Sequence, residues 1–245
     1  MEKNKLSVKG NLVDVPEIKA LSNGSKVAKA TLGINNRYKN KAGEEVDEVS
    51  FVDVEAYGEK AEVLEQNGTK GKWMQVDGKL VQDRWKDDEG KTHSKLKILA
   101  FDVKPVDIAA EKEEGKKFSN NSVSIEGNLV AKPTVKELPS GGKTASCSVA
   151  VNDIYTDKKN NKVNNVSYFD IEAFGDKAEF LEKNGDKGFH VKLDGKIKQD
   201  RWKDEEGKTH SKIKIIPFEM SVSQTKKLEK KAPNKDKDDD CGYGR

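Results

Sequence analysis

A long internal duplication constrains the fold of this chain more than any other feature of its sequence. The motif GNLV at Gly10–Val13 returns at Gly127–Val130, 117 positions later, and QDRWKD and EGKTHSK recur at the same offset. This offset aligns residues 6–104 with residues 123–221 without a gap, and about half of the aligned positions are identical. Solenoid repeats are much shorter, about 20–50 residues, so the pattern indicates two copies of a whole domain.

The alignment also predicts the domain boundaries. The first domain covers residues 1–106 and the second covers 122–223. Between them, residues 107–121 (DIAAEKEEGKKFSNN) are charged and have no strand pattern, which is typical of a linker. The remaining tail, 224–245, is rich in Lys and Asp and has few apolar residues, so we expect it to be disordered.

Apolar and polar residues alternate through each copy with the two-residue period of a half-buried strand. In one such stretch, Val52, Val54 and Ala56 are predicted to face the interior, whereas Phe51 and Tyr57 face outward. The same alternation recurs in four other stretches of the first copy and at the matched positions of the second. Each copy is therefore predicted to contain five strands.

One short helix and one bend complete the predicted domain. A helical stretch at Glu59–Gln66 follows the third strand group and stops at Asn67-Gly68. Gly78 interrupts a strand and indicates a bend or bulge. Five strands with one helix after the third are typical of an OB-type barrel. We therefore predict an all-β protein with two tandem OB-fold barrels, each with one short helix, and a disordered C-terminal tail.

Composition excludes several classes of protein. The 245 residues are 36% charged and 33% hydrophobic, with a mean hydropathy of −0.86, and no apolar run approaches the ~20 residues of a membrane helix. The N-terminus lacks the apolar region of a signal peptide, and only two cysteines are present, so a cytoplasmic location is expected.

No catalytic constellation is evident. The chain contains no GxxxxGK[ST], HExxH or GxSxG motif, so we expect a protein that is not an enzyme and that needs no metal or cofactor. His93 and His210 occupy matched positions without a further ligand at metal spacing, so they are interpreted as loop histidines. Cys147 replaces Ala30 at an inward strand position and is expected to be a small buried side chain.

Four aromatic positions in each copy are predicted to lie on one open face or on its loops. Every base has a π-face, so such a face can stack single-stranded nucleic acid without reading its sequence, at ~1–3 kcal/mol per base. Alternatively, aromatic residues cover the outer face of a sheet because they favour strands. Recurrence in both copies favours the first interpretation. The eight residues are Tyr38, Phe51, Tyr57 and Trp85, with Tyr155, Tyr168, Phe174 and Trp202.

Basic residues lie beside these aromatics in the sequence. Their cations can contact phosphates or stack on bases. They are Arg37, Lys39, Arg84, Lys86 and Lys91 in the first copy, and Arg201 and Lys203 in the second.

Carboxylates on the same predicted face oppose this interpretation. Asp53 and Glu55, with Asp170 and Glu172 in the second copy, alternate with the aromatics and would repel phosphate. Cross-strand lysines such as Lys29 would neutralise them.

The order and spacing of these residues resemble the bacterial single-stranded DNA-binding protein family. The similarity covers about four-fifths of the chain. It follows the patterns LxVxGNLxxxPE at Leu6–Glu17, VAxAxLGxN…Y at Val27–Tyr38, FxxxxAYGxxAE at Phe51–Glu62 and RWxDxxG at Arg84–Gly90. The resemblance implies an OB fold and base stacking at the eight aromatic positions.

The chain also departs from that family's pattern. Most members carry one OB fold and form tetramers, whereas a chain with two folds resembles the members that form homodimers. The usual acidic tip that ends in Pro-Phe and recruits replication proteins is replaced by an acidic run, Asp238–Asp240, followed by CGYGR. Partner docking through this acidic tail is therefore an expectation from resemblance.

Together these features predict sequence-independent binding of single-stranded DNA in replication, recombination or repair. The resemblance also implies a location at a bacterial nucleoid or in a phage-infected cell. The alternative is an accessory OB-fold module that mainly contacts other replication proteins, which the near-neutral net charge of +3 and the carboxylates favour. An RNA-binding OB protein is a third, weaker option.

Overall fold

Each half of the chain folds into six strands and one helix in this computed structural model, which describes residues 3–39, 43–113, 120–139, 141–156 and 160–224. The side chains of Tyr38, Lys39, Lys112 and Tyr155 lie outside the described part. The first half contains β1 (Asn4–Leu12), β2 (Glu17–Ala20), β3 (Lys26–Lys39), β4 (Glu45–Tyr57), α1 (Glu59–Asn67), β5 (Trp73–Lys86) and β6 (Thr92–Pro105).

A second set of elements repeats the first after an intervening helix. The intervening helix is α2 (Ile108–Glu113). The repeated elements are β7 (Asn121–Leu129), β8 (Thr134–Glu137), β9 (Lys143–Thr156), β10 (Lys162–Phe174), α3 (Asp176–Asn184), β11 (His190–Lys203) and β12 (Thr209–Ser223). Within the described ranges, no helix is both long and apolar enough to span a membrane.

Strand pairing closes each half into a barrel. In the first half the order is β2-β3-β4-β6-β5-β1, and β1 pairs with β3 as well as with β5, which joins the two ends. β4 and β6 are parallel, and the other pairings within this half are antiparallel. The predicted OB-type barrels are confirmed. The prediction of five strands omitted β2, a four-residue edge strand. It begins directly after Pro16, and this proline interrupts the alternation of apolar and polar residues that continues from β1.

Alternation along β4 places the core as the sequence predicted. Val52, Val54 and Ala56 are buried, whereas Phe51 is partly exposed and Tyr57 is exposed. The predicted bend is present as a register shift between Asp77 and Gly78 on β5. A Cβ at Gly78 would lie 2.3 Å from the carbonyl oxygen of Leu99, so any side chain there would force the two strands apart.

The two barrels form one continuous sheet. β1 pairs antiparallel with β7, from Asn4 opposite Ile125 to Val8 opposite Asn121, so that twelve strands are joined. Beside this seam the Asn121 side-chain amide donates to Asn36 Oδ1 at 2.7 Å and to the carbonyl oxygen of Ile197 at 2.8 Å. The hydrogen bonds between β1 and β7 therefore fix the position of one barrel relative to the other.

The predicted linker contains a helix, which the sequence analysis missed. Asp107 Oδ1 accepts hydrogen bonds from the backbone N–H groups of Ala109 and Ala110, at 3.0 and 3.2 Å, and so caps the N-terminus of α2. From α2, Glu111 forms a 2.6 Å ion pair with the largely buried Lys9 on β1. Helix α2 therefore lies against the first barrel.

Candidate nucleic-acid interface

Residues of both barrels line a cavity at their junction, which we call the central pocket. Six positions of the first barrel and their six matches in the second contribute to it, so that the pocket follows the duplication. Its lining is Phe51, Asp53, Gln82, Ser94, Lys95 and Leu96, with Tyr168, Asp170, Gln199, Ser211, Lys212 and Ile213.

Each barrel sends a hairpin across this junction to the other. The β5–β6 hairpin of the first barrel reaches β10, where the N–H of Gln82 donates to Ser167 Oγ at 3.3 Å and the N–H of Tyr168 donates to Gln82 Oε1 at 3.2 Å. The matched contacts run from the second hairpin to β4: Gln199 N–H donates to Ser50 Oγ at 3.0 Å, and Phe51 N–H donates to Gln199 Oε1 at 3.0 Å.

The exchanged hairpins also place a guanidinium over an aromatic ring of the other barrel. The central carbon of Arg84 lies 4.7 Å from the Tyr168 ring centroid, and that of Arg201 lies 4.5 Å from the Phe51 ring centroid. Glutamine orients each guanidinium, since the Nε and Nη2 of Arg84 donate to Gln82 Oε1 at 3.2 and 2.7 Å. We call these two contacts the cross-barrel stacks. They bring together four of the residues predicted from the sequence.

Trp85 and Trp202 lie near the tips of the two hairpins, where they are 49% and 48% exposed. Each indole stacks on a histidine: the centroids of Trp85 and His93 are 5.7 Å apart, with an interplanar angle of 21°, and Trp202 repeats this with His210. The expectation of loop histidines was wrong, because the strands extend far enough to pair His93 with Trp85 across the hairpin.

An aspartate holds each of these histidines in place. His93 Nε2 lies 2.5 Å from Asp87 Oδ2, and His210 Nε2 lies 2.5 Å from Asp204 Oδ2. These hydrogen bonds to histidine lower the pKa of both aspartates. The histidine covers one face of each indole.

The ends of β4 and β10 carry the third described aromatic of each copy. Tyr57 and Phe174 are about half-exposed. The Tyr57 hydroxyl donates to Glu55 Oε1, and this hydrogen bond raises the pKa of the tyrosine. Phe174 has no hydroxyl to make such a bond with Glu172, which distinguishes the two copies chemically.

Ion pairs neutralise the carboxylates that opposed a nucleic-acid interface. In the first barrel Lys97 lies 2.8 Å from Glu55 and 2.7 Å from Asp83, and Lys95 pairs with Asp53. In the second barrel Lys214 pairs with Glu172 and Asp200 at 3.2 and 2.5 Å, and Lys212 pairs with Asp170 at 2.8 Å.

These lysines come from β6 and β12, not from the strand that the sequence analysis favoured. Lys29 lies opposite Glu55 in the β3–β4 register, but Lys97 makes the ion pair. Burial disfavours the charged form of Glu55, yet hydrogen bonds from Lys97 and Tyr57 outweigh it and hold its pKa below the usual range. Burial likewise opposes the charge of Lys97, and its hydrogen bonds to Asp83 and Glu55 raise its pKa.

A groove flanks the central pocket on each barrel. The first groove is lined by Asp14, Val15, Glu17, Lys29, Ala30, Thr31, Asp53, Val54, Glu55, Asp83 and Lys97. The second groove is lined by Val130, Ala131, Lys132, Thr134, Ser146, Cys147, Ser148, Asp170, Ile171, Lys212 and Lys214. Cys147 is therefore partly buried at the edge of a groove, and burial raises the pKa of its thiol to about 12.

The remaining predicted cations differ in what surrounds them. Lys86, Lys91 and Lys203 are exposed on the hairpins, beside the tryptophans. Arg37 donates from Nε and Nη2 to the two carboxylate oxygens of Asp47, at 2.7 and 3.0 Å, so its charge already has a partner. The predictions for Tyr38, Lys39 and Tyr155 concern side chains outside the described part.

Sequence reasoning missed two matched pairs of residues at these surfaces. Gln82 and Gln199 make the contacts between the barrels, and Phe101 and Phe218 are each 53% exposed on β6 and β12. Identity at positions 117 apart was the available signal, because both pairs are retained in both copies.

The family model described as "Single-strand binding protein family" matches residues 3–106 and again residues 120–223. The chain belongs to this family. A protein named single-stranded DNA-binding protein from Aquifex aeolicus is 40% identical over 117 residues, which cover 45% of this chain and 79% of the relative. One of the same name from Deinococcus radiodurans is 27% identical over 213 residues, which cover 84% of this chain and 70% of the relative.

A solved structure supports the arrangement of two barrels. The wild-type single-stranded DNA binding protein from Thermus aquaticus superposes with a TM-score of 0.71 at 19% identity, over 91% of this chain and 94% of that one. At this identity the similarity shows the fold alone. It covers both halves, so the two-barrel fold is shared with that protein.

Proposed function

We propose that this protein binds single-stranded DNA without sequence preference, by stacking bases on its aromatic side chains and contacting the backbone with lysine and arginine. The observation that carries this proposal is the pair of cross-barrel stacks, in which a guanidinium and an aromatic ring face each other at the central pocket. Aromatic rings and arginines beside a groove are the usual platform for single strands. Membership of the family supports the proposal.

In the proposed mode of binding, the strand follows the grooves and hairpins of both barrels. Trp85, Trp202, Tyr57 and Phe174 present exposed rings for stacking. The hairpin cations and the two arginines contact phosphates, and neutralised carboxylates reduce the repulsion along the path. We extend the interface to the Tyr38, Lys39 and Tyr155 side chains, on the resemblance alone.

The protein acts by binding alone, with no chemical step. Binding that favours the single-stranded form opposes reannealing and melts secondary structure by mass action. Such strands arise in replication, recombination and repair, which are the cytoplasmic processes that we propose for it. We propose further that the acidic tail recruits replication proteins, although residues 225–245 lie outside the described part of the chain.

We also propose that the protein is a homodimer with four barrels. The half-exposed Phe101 and Phe218 supply one apolar contact on each barrel, at matched positions. Two-fold dimers are the commonest protein assembly, and a chain that already contains a pseudo-symmetric pair of barrels needs one further two-fold axis to present four.

The competing function is a module that contacts other proteins. Carboxylates in the first groove favour it, since five of them line that groove with only two lysines, and an acidic groove suits a basic peptide. Titration of the intrinsic tryptophan fluorescence with oligo-dT, oligo-rU and duplex DNA separates these functions. Quenching by oligo-dT that falls steeply with salt is expected. No quenching by oligo-dT would contradict DNA binding, and stronger quenching by oligo-rU would favour the RNA alternative.

A further inference from the structure

Gene duplication leaves two grooves that are built alike but charged differently. The first groove runs from the connection between β1 and β2 to β4, and the second from the connection between β7 and β8 to β10. Both contain the paired positions Asp53 or Asp170 and Lys97 or Lys214. The duplication therefore supplies a matched comparison inside one molecule, in which every difference between the grooves is a substitution at a known position.

Four exposed positions along one wall carry the difference. The first groove has Asp14, Val15, Glu17 and Lys29, and the second has Ala131, Lys132, Thr134 and Ser146 at the matched positions. At these four positions the first groove has two acids and one lysine, whereas the second groove has one lysine and no acid. The wall of the second groove is more positive by two charges.

The β3–β4 and β9–β10 connections continue the same trend in sequence. Residues 37–48 contain three cations and four acids, whereas the matched residues 154–165 contain three lysines and one aspartate. In the first barrel the one arginine of this segment is bonded to Asp47, and Glu48 pairs with Lys198 at 3.2 Å. The second connection therefore has a net charge of +2 in sequence, against −1 for the first.

Summed over each whole domain, the net charges are nearly equal, because the rest of the first domain is more positive than the rest of the second. The hairpin sequences QDRWKDDEGKTHSK and QDRWKDEEGKTHSK carry the same charges, and residues 3–106 and 120–223 have net charges of +2 and +1. The asymmetry is therefore one of placement along the groove and its neighbouring connection, and it is not a consequence of one domain being more basic overall.

We propose that the two barrels bind DNA unequally, with the second groove capturing the strand first and the first groove following. This inference rests on the proposed function. Phosphates are attracted to the more positive wall, and two unit charges at several ångströms correspond to roughly a five- to tenfold difference in affinity at low salt. Because the difference is electrostatic and exposed, it shrinks as salt is added.

A short oligonucleotide tests the order of binding directly. Oligo-dT of about eight nucleotides fits a single barrel, given site sizes of about 4–16 nucleotides per OB fold. The backbone amide resonances of Thr31 and Ser148, which line the two grooves at matched positions, report on both in one NMR sample of the full chain. The Ser148 resonance is expected to complete its shift at a roughly five- to tenfold lower concentration of DNA.

Exchanging the charges supplies the control. Asp14→Ala with Glu17→Thr gives the first groove the uncharged residues of the second, and Ala131→Asp with Thr134→Glu does the reverse. All four positions are exposed, so both variants should fold. The first exchange is expected to bring the two titrations together, and the second to delay the Ser148 resonance.

The outcomes separate this inference from the proposed function. Parallel shifts of both resonances in the unmodified protein, or earlier shifts of Thr31, would overturn the unequal binding while leaving DNA binding intact. If neither resonance moved and longer oligo-dT left the tryptophan fluorescence unquenched, the proposed function itself would fail.

Discussion

The guanidinium of Arg201, from the second barrel, lies over the ring of Phe51 from the first, with 4.5 Å between its central carbon and the ring centroid. Gln199 orients that guanidinium and also accepts a hydrogen bond from the backbone N–H of Phe51. The duplication repeats the arrangement at Tyr168, under Arg84. Each of these rings is thus completed by a residue of the other barrel, and neither barrel alone contains the whole contact.

Substitution of Arg201 separates stacking from charge. Arg201→Lys keeps the charge but loses the planar group, and it should weaken binding to oligo-dT by about 0.5–1 kcal/mol without changing the salt dependence. Arg201→Gln removes the charge as well, and it should reduce the slope of log affinity against log salt by about 0.7, the value for one phosphate on a single strand. Fluorescence titrations at several salt concentrations measure both quantities.

A control for this experiment is Lys183→Gln, an exposed residue of α3 away from the central pocket. It removes one positive charge and should leave the salt slope unchanged. If the Arg201 variants and this control gave the same slope as the unmodified protein, a phosphate contact at Arg201 would be excluded.

The two hairpin tryptophans provide a second prediction. Trp85→Ala and Trp202→Ala should each weaken binding to poly-dT by about 1–3 kcal/mol, because a base would lose its stacking partner. Each substitution also removes the indole on which His93 or His210 stacks. Trp73→Phe, at the start of β5, controls for general effects on tryptophan fluorescence. Unchanged affinity in both alanine variants, with intact circular dichroism, would remove the hairpins from the interface.

The sequence predicted the elements of each barrel well because their causes are local. Alternation of apolar and polar residues identified the inner face of β4, and Gly78 marked the bulge. The pairing of β1 with β7 could not be derived in this way, because an exposed strand edge leaves no periodic signal for which strand will cover it. Helix α2 was missed for a related reason: its docking depends on the Lys9–Glu111 ion pair across more than a hundred residues.

The candidate site shows the same division. The eight aromatic positions and the arginines were identified from the sequence, and all those with described side chains lie at least partly exposed. Which residues meet was not predictable, because the cross-barrel stacks arise from hairpins that exchange between barrels. The lysines that neutralise Glu55 and Asp53 come from β6 for a similar reason, since parallel pairing of β4 with β6 is a long-range contact.

Phe101 and Phe218 provide a test of the proposed dimer. Phe101→Asp with Phe218→Asp places charge at two exposed apolar positions, which should cost little in a monomer and should dissociate a dimer that buries them. Multi-angle light scattering at micromolar concentration is expected to give twice the 27.2 kDa chain mass for the unmodified protein and the single mass for the variant. A monomer mass for the unmodified protein would contradict the homodimer, and a dimer in both would place the interface elsewhere.

Acid should destabilise the first barrel through Glu55. Hydrogen bonds from Lys97 and Tyr57 hold the pKa of this largely buried carboxylate below its value in an unfolded chain, despite the opposing effect of burial. A lowered pKa in the folded state stabilises the protein above the unfolded pKa, and that contribution disappears as the pH falls through the folded pKa. The loss is therefore expected below the ordinary glutamate range of about 4.3.

Glu55→Gln tests this dependence because the amide cannot ionise. The variant should have a lower free energy of unfolding than the unmodified protein at about pH 7, and the difference should be smaller at about pH 3, because protonation of Glu55 removes the charge that its partners stabilise. Urea denaturation at both pH values gives the comparison. Glu172→Gln is the matched control: Phe174 replaces Tyr57 there, so the loss at neutral pH should be smaller. A deficit of Glu55→Gln that persisted undiminished at low pH would show that packing of the side chain, and not its charge, stabilises the barrel.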